Sequence, residues 1–156
     1  MQPTRKTLDT AFLVSGIMVR TTNHDEQDPH TARLAGHWGR FFAEGLFEKI
    51  PGRLPDAAMY GVYSAYESDH TGAFDVTAGA AVSAPVAGAA WHTVEIQPGE
   101  YLVFTAKGPM PQVVLQTWGA IWQFFQSHPE IRRSYATDFE AYQGPDEVAI
   151  HIGIRA

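Results

Sequence analysis

The sequence predicts an α+β fold in which a βαββ unit occurs twice, so that one antiparallel sheet carries two helices on one face with a cleft between them. Three observations lead to this prediction. The order strand, helix, strand, strand occurs in both halves of the chain. Both predicted helices carry an apolar stripe rich in Trp and Phe. The length of 156 residues, 45% of them hydrophobic, suits one domain (1–156) with two pseudo-repeats at about 1–84 and 90–156.

The first half begins with a strand and a helix. Residues 8–20 are rich in Leu, Ile and Val and predict a strand, which a polar loop at 21–28 follows. From 31 to 49, apolar residues recur at the spacing of one face of an amphipathic helix. The members of this stripe are Leu34, Trp38, Phe41, Phe42 and Leu46.

The remaining elements follow from runs of alternating or helical periodicity between Gly, Pro and polar segments. In chain order they are a hairpin of 58–66 and 74–82, strands at 91–96 and 101–106, a helix at 111–128, and a hairpin of 135–142 and 148–154. In the last strand, alternation predicts one buried face and directs His151 toward solvent.

The two helical stripes superimpose when Trp38 is aligned with Trp122. This alignment predicts a pseudo-twofold axis between the halves, with both helices on the same face of the sheet. A groove between two such helices is the natural place for a ligand.

Composition excludes several classes of function. Seventeen acidic and eleven basic residues give a net charge of -6, and no basic run exceeds Arg132-Arg133, which argues against direct binding of nucleic acid. The chain has no cysteine and no segment long enough to cross a membrane, so a cytoplasmic protein is expected. Phosphate-loop and serine-hydrolase motifs are absent, the histidines lack metal-site spacing, and we expect no metal and no cofactor.

Six segments that together span nearly the whole chain carry a family resemblance. They are Val14–Asn23, Tyr60–Tyr63, Tyr66–Gly72, Phe104–Gly108, Trp118–Trp122 and Asp138–Tyr142. In their order they resemble the effector-binding domains of the AraC, Rob and multidrug-sensing MerR-type activators, which form the gyrase-inhibitor-like superfamily. The resemblance is strongest to the free-standing relatives of these domains, including integron-associated effector-binding proteins.

The resemblance implies a domain that binds hydrophobic, often cationic compounds between its helices, with a buried Glu on the sheet as counter-charge. Glu140 matches that carboxylate. In the family's regulators the domain is fused to a helix-turn-helix unit, whereas here the domain occupies all 156 residues. We therefore expect a stand-alone module that acts through a small hydrophobic or cationic ligand and a regulatory protein partner or homodimer, without touching a promoter.

The residues themselves leave the position of Glu140 open. Period two places Asp138, Glu140 and Tyr142 on one face of their strand, and that face is either the floor of the cleft or the solvated side. The candidate aromatic residues likewise suit either core packing or stacking against a bound cation. They are Trp38, Trp118, Trp122, Phe41, Tyr60, Tyr63, Tyr66 and Tyr142.

Two functions remain open at this point. The first is an effector-binding protein with an aromatic cleft and an acidic floor, for which a hydrophobic cation is the expected ligand. The alternative is a small-molecule hydrolase of the same superfamily, with Glu140 as general base and Tyr63 or Tyr142 as acid. Inhibition of gyrase rests on the superfamily name alone.

Overall fold

The computed structural model of the chain describes residues 2–155. Within this range the chain forms eight strands and four helices. In order they are β1 (Thr4–Leu8), β2 (Phe12–Thr21), α1 (Asn23–Glu26), α2 (Leu34–Ala43), α3 (Leu46–Lys49), β3 (Met59–Ser64), β4 (Phe74–Val82), β5 (His92–Ile96), β6 (Gly99–Lys107), α4 (Gln112–Ser127), β7 (Arg133–Tyr142) and β8 (Glu147–Ile154).

The strands form one sheet with the order β1-β6-β8-β7-β3-β4-β2-β5, and every neighbouring pair is antiparallel. The predicted α+β class with an antiparallel sheet is thus confirmed. The strand order is symmetric about the centre of the sheet: β6, β8 and β7 of the second half occupy the positions that β2, β4 and β3 occupy in the first half. Each half also receives an edge strand from the other, because β1 pairs with β6 and β5 pairs with β2.

The start of the chain differs from the prediction. The single strand predicted at 8–20 is two strands, β1 and β2, separated by residues 9–11. These strands lie near opposite edges of the sheet, and a linker of three residues spans only about 10 Å. The sheet must therefore curl until its edges approach each other, and Leu8 and Phe12 accordingly pack in one apolar cluster with Val94 and Ile96.

The predicted helix at 31–49 is also divided. Gly45 adopts a left-handed conformation with φ of 59°, which ends α2 and lets α3 begin at Leu46. The loop predicted at 21–28 contains the short α1, whose first turn is capped by the Thr22 side chain. The second long helix, α4, ends within one residue of its prediction at 111–128.

Both long helices lie on the same face of the sheet, as predicted. Helix α2 packs on β2 and β4, and α4 packs on β6 and β8. A row of directly opposed residues crosses this face, and consists of Phe104, Ile150, Glu140, Gly61, Ala78 and Ile17. Its outer members belong to two apolar clusters, one under each helix. Glu140 and Gly61 occupy the centre, where the clusters meet.

Candidate functional site

Glu140 lies at the middle of β7, opposite Gly61 on β3 and Ile150 on β8. Its side chain is only 2% exposed. Since the facing Ile150 belongs to the cluster under α4, the carboxylate points to the helix-covered face. Of the two positions that the sequence left open, the solvated face is therefore wrong.

Three neutral donors surround the carboxylate. The Tyr63 hydroxyl and the Trp118 indole Nε1–H each donate to Oε2 at 2.8 Å, and the Tyr142 hydroxyl donates to Oε1 at 2.7 Å. Tyr63 comes from β3, Trp118 from α4 and Tyr142 from β7 itself. The carboxylate is thus held rigidly by hydrogen bonds from three elements.

No Lys or Arg side chain within residues 2–155 forms an ion pair with Glu140. Burial raises the pKa of Glu140, while the hydrogen bonds from Tyr142, Trp118 and Tyr63 lower it, and burial dominates. Burial, followed by the charge of Glu140, also raises the pKa values of Tyr63 and Tyr142, so both phenols stay protonated and act as donors. The site therefore holds a carboxylate that lacks a cationic partner.

The space for this carboxylate depends on Gly61. A Cβ atom at this position would lie 2.8 Å from Oε1 of Glu140 and 2.9 Å from Cζ2 of Trp38. Both distances are shorter than van der Waals contact, so any side chain here would displace one of these groups. The sequence reasoning missed Gly61, although a glycine inside a strand is itself a signal of close approach.

Trp38 and Trp118 cover the site from opposite sides. The Trp38 ring meets Tyr142 edge to face, with centroids 5.6 Å apart, and the Trp118 ring meets Tyr63 at 5.1 Å. Both indoles are partly exposed. They close the groove between α2 and α4 above Glu140.

These contacts correct the alignment of the two helical stripes. Trp38 corresponds to Trp118 rather than to Trp122, because the flanking positions are buried alike: Phe41 of α2 matches Ile121 of α4. The two alignments differ by four residues, about one helical turn, which leaves the same face toward the sheet. Periodicity alone could not separate them.

Three predicted site residues lie away from Glu140. The Trp122 ring packs edge-on against His70, with centroids 5.3 Å apart. Phe41 is 1% exposed and belongs to the core under α2. Tyr60 lies on the opposite face of the sheet, in a cluster with Phe139.

Tyr66 binds a second buried carboxylate. Asp138 is fully buried. Its carboxylate accepts hydrogen bonds from the Tyr66 hydroxyl and from the Gly153 backbone N–H, the latter at 2.8 Å. It also forms an ion pair with Arg133 Nη2 at 2.7 Å. Sequence reasoning placed Asp138 on the same face as Glu140 but missed Arg133. A register shift lies between Arg133 and Asp138. Because it interrupts the alternation of the strand, the spacing of these two residues does not predict their contact.

Two of the seven histidines are buried. His151 was predicted to face solvent, and this is wrong: it is 7% exposed and stacks on Phe139, because the curled sheet encloses its second face. His37 is buried between α2 and the sheet, and burial lowers its pKa.

Within the described range, no three His, Asp or Glu side chains are placed to hold a metal ion. No helix in this range is both long and apolar enough to cross a membrane.

The molecule is an α+β protein with a duplicated strand order and two helices over a buried carboxylate. Known proteins share this class of fold. Residues 6–154 match the family of integron-associated effector binding proteins. The chain belongs to this family.

Several known proteins are similar to this chain over most of its length. An integron cassette protein from the mobile metagenome of Vibrio cholerae is 34% identical, with a TM-score of 0.83 over 99% of this chain and 96% of that one. SAV2435, solved with bound tetraphenylphosphonium, is 20% identical, with a TM-score of 0.81 over 100% and 95%. The Bacillus subtilis protein YobU, whose name proposes a transcriptional regulator, is 25% identical over 82% of this chain and 79% of its own length.

Proposed function

We propose that this effector-binding protein takes a hydrophobic cation into the groove between α2 and α4, with Glu140 as the counter-charge. The observation that carries the proposal is the buried carboxylate, which has three neutral donors and no ion pair with a cationic side chain among residues 2–155. An ionised carboxylate in such surroundings is unfavourable unless a positive charge approaches it. A bound cation supplies that charge.

The surrounding rings fit the same ligand. Trp38, Trp118, Tyr63 and Tyr142 offer aromatic faces and apolar area, and cation–π contacts contribute about 0.5 to 2 kcal/mol each. The likeness in fold to a protein that holds tetraphenylphosphonium supports a delocalised aryl cation as the ligand class.

Binding requires the groove to open. Because Glu140 is 2% exposed, the indoles must swing apart or α2 must shift before a ligand reaches the carboxylate. The exposed Phe42, which stacks on Trp38 at 5.9 Å, lies on the outer side of this closure. A regulatory partner or a second copy of the chain would then respond to the changed position of α2.

We propose no direct binding to DNA, because the net charge of the chain is -6.

The proposal is tested with two ligands of equal shape and opposite charge, tetraphenylphosphonium and tetraphenylborate, together with neutral triphenylphosphine oxide. Tryptophan fluorescence reports binding in the wild-type protein and in Glu140→Gln. We expect the variant to bind the phosphonium about tenfold more weakly, a loss of about 1.4 kcal/mol, and to bind the neutral compound with little change. The wild-type affinity for the phosphonium should also fall as the pH drops below the raised pKa of Glu140.

The matched control is Glu95→Gln, which removes the same charge from an exposed position on β5. It should leave all three affinities unchanged. Equal losses for the cation and the neutral compound in Glu140→Gln would instead assign Glu140 a packing role. Turnover of an electrophilic ester that only Glu140→Gln abolishes would identify the groove as a hydrolase site.

A further inference from the structure

A cavity lies on the face of the sheet opposite the helices. It measures about 160 Å³, and its walls include Phe12, Tyr60, Tyr101 and Phe139. Phe139 precedes Glu140 on β7, so the two side chains point to opposite faces of the sheet. The cavity and the groove over Glu140 are therefore separate.

The size of the cavity selects a small ligand. An apolar cavity of about 150 Å³ in another protein accepts one benzene molecule, whereas an ion with four aryl groups needs several times that space. The walls present both edges and faces: Phe12 meets Phe139 at 90° with centroids 5.8 Å apart, and Tyr101 meets Phe139 at 67° and 5.5 Å. Such walls favour one further aromatic ring.

Polar groups of the cavity are available for a ligand. The side chains of Lys6, Tyr60 and Gln143 line it, and none of them forms a hydrogen bond within residues 2–155. Lys6 supplies the positive charge and Gln143 an amide. The charge of this cavity is thus opposite to that of the groove.

His151 also lines the cavity and offers a further polar group. Its Nδ1 lies 3.2 Å from the Ala149 carbonyl oxygen, to which it donates in the neutral ring, and this leaves Nε2 as an acceptor. Burial, the largest cause, lowers the pKa of His151 to about 4, so the ring is neutral at pH 7. A ligand hydroxyl can donate to such a nitrogen.

We propose that this cavity binds carboxylates with a single aromatic ring, with the ring against Phe12 and Phe139 and the carboxylate toward Lys6. A hydroxyl on the same ring would reach Tyr60 or His151. The protein would then have two sites of opposite charge preference, one on each face of its sheet.

Benzoate and benzylamine, which share one ring and differ in charge, test this proposal in titrations of the wild-type protein followed by ¹H–¹⁵N spectra. We expect benzoate to perturb Tyr60, Ala141 and His151 with a Kd on the order of 1 mM, and 4-hydroxybenzoate to bind more tightly. Benzylamine should leave these resonances unchanged. Tetraphenylphosphonium should not displace benzoate.

Two variants separate the sources of affinity. Lys6→Met removes the charge of an exposed side chain while keeping most of its length, and it should weaken benzoate binding about fivefold. Lys49→Met, the same change at an exposed position on α3, should have no effect. Ala141→Leu should fill the cavity and abolish binding. Perturbations confined to α2 and α4, equal binding of benzoate and benzylamine, an unchanged affinity in Lys6→Met, or no perturbation up to about 10 mM benzoate would each overturn the proposal.

Discussion

Asp138 and Glu140 lie two residues apart on one strand, point to the same face of the sheet and are 0% and 2% exposed, yet their surroundings differ in charge. Asp138 is paired with the Arg133 guanidinium at 2.7 Å. In the part of the chain that the structure describes, the donors to Glu140 are all neutral and come from Tyr63, Trp118 and Tyr142. One carboxylate is neutralised inside the protein and the other is not.

Burial alone therefore does not identify a ligand site. The field of Asp138 is cancelled within a few ångströms by Arg133, so this pair anchors the bulged start of β7. Glu140 forms no ion pair within residues 2–155, so its field is not cancelled by a neighbouring charge. The difference in cationic partners, rather than burial, makes Glu140 and not Asp138 the candidate in the proposed function.

The largest effect is expected for Asp138→Asn. This substitution leaves the Arg133 guanidinium, whose side chain is 10% exposed, without its anion, and should lower the free energy of unfolding by about 3 to 5 kcal/mol. Urea denaturation measures the loss. The double variant Arg133→Met, Asp138→Asn removes the stranded charge and should recover part of it. A loss no larger than that of an exposed Asp69→Asn control would contradict the contrast between the two carboxylates.

The sequence was sufficient for the main elements of the fold, because both helices and the long strands carry strong periodicity. The sequence did not predict the positions at which tertiary contacts interrupt a strand or a helix. Residues 9–11 contain no Gly or Pro, so the break between β1 and β2 is visible only once the sheet curls. The apolar stripe continues through Leu46, which concealed the interruption of the helix at Gly45.

For the candidate site, the sequence supplied Glu140 and, through residue type and the resemblance, the four rings that surround or cover it: Tyr63, Tyr142, Trp38 and Trp118. It did not show on which face of the sheet each tyrosine lies. Tyr60 and Tyr63 are three residues apart on β3, a spacing that places them on opposite faces. Tyr66 reaches the helix-covered face because Ala65, with φ of 50°, turns the chain after β3. No local pattern predicts that turn.

The next effect concerns the stability cost of Glu140. Its pKa in the folded protein is raised by burial, so the folded state holds the proton more tightly than the unfolded chain does. The stabilisation by protonated Glu140 is present below the unfolded pKa near 4.5 and is lost as the pH rises through the folded pKa. Glu140→Gln should therefore be more stable than the wild type at pH 7, because it removes the buried charge that burial disfavours.

The same variant gives a pH profile that a packing change would not produce. The difference in the free energy of unfolding between Glu140→Gln and wild type should shrink as the pH falls below the raised pKa, where both side chains are neutral. Thermal unfolding from pH 4 to pH 8 follows this difference. A gap that is constant over the range would refute the buried, unpaired charge on which the proposed function depends.

The smallest effect separates the hydrogen bonds of the two carboxylates. Tyr142→Phe deletes the donor at 2.7 Å from Glu140, and Tyr66→Phe deletes the donor to Asp138. Each substitution should lower the free energy of unfolding by about 1 kcal/mol in the wild-type background.

A hydrogen bond to a charged acceptor is stronger than one to a neutral amide. We therefore expect the loss caused by Tyr142→Phe to be smaller by about 0.5 to 1 kcal/mol when Glu140 is already Gln. The cost of Tyr66→Phe should be the same in both backgrounds, since its hydroxyl donates to the other carboxylate. A double-mutant cycle by urea denaturation measures both couplings, and equal couplings of Tyr66 and Tyr142 to Glu140 would mean that the two carboxylates act as one network.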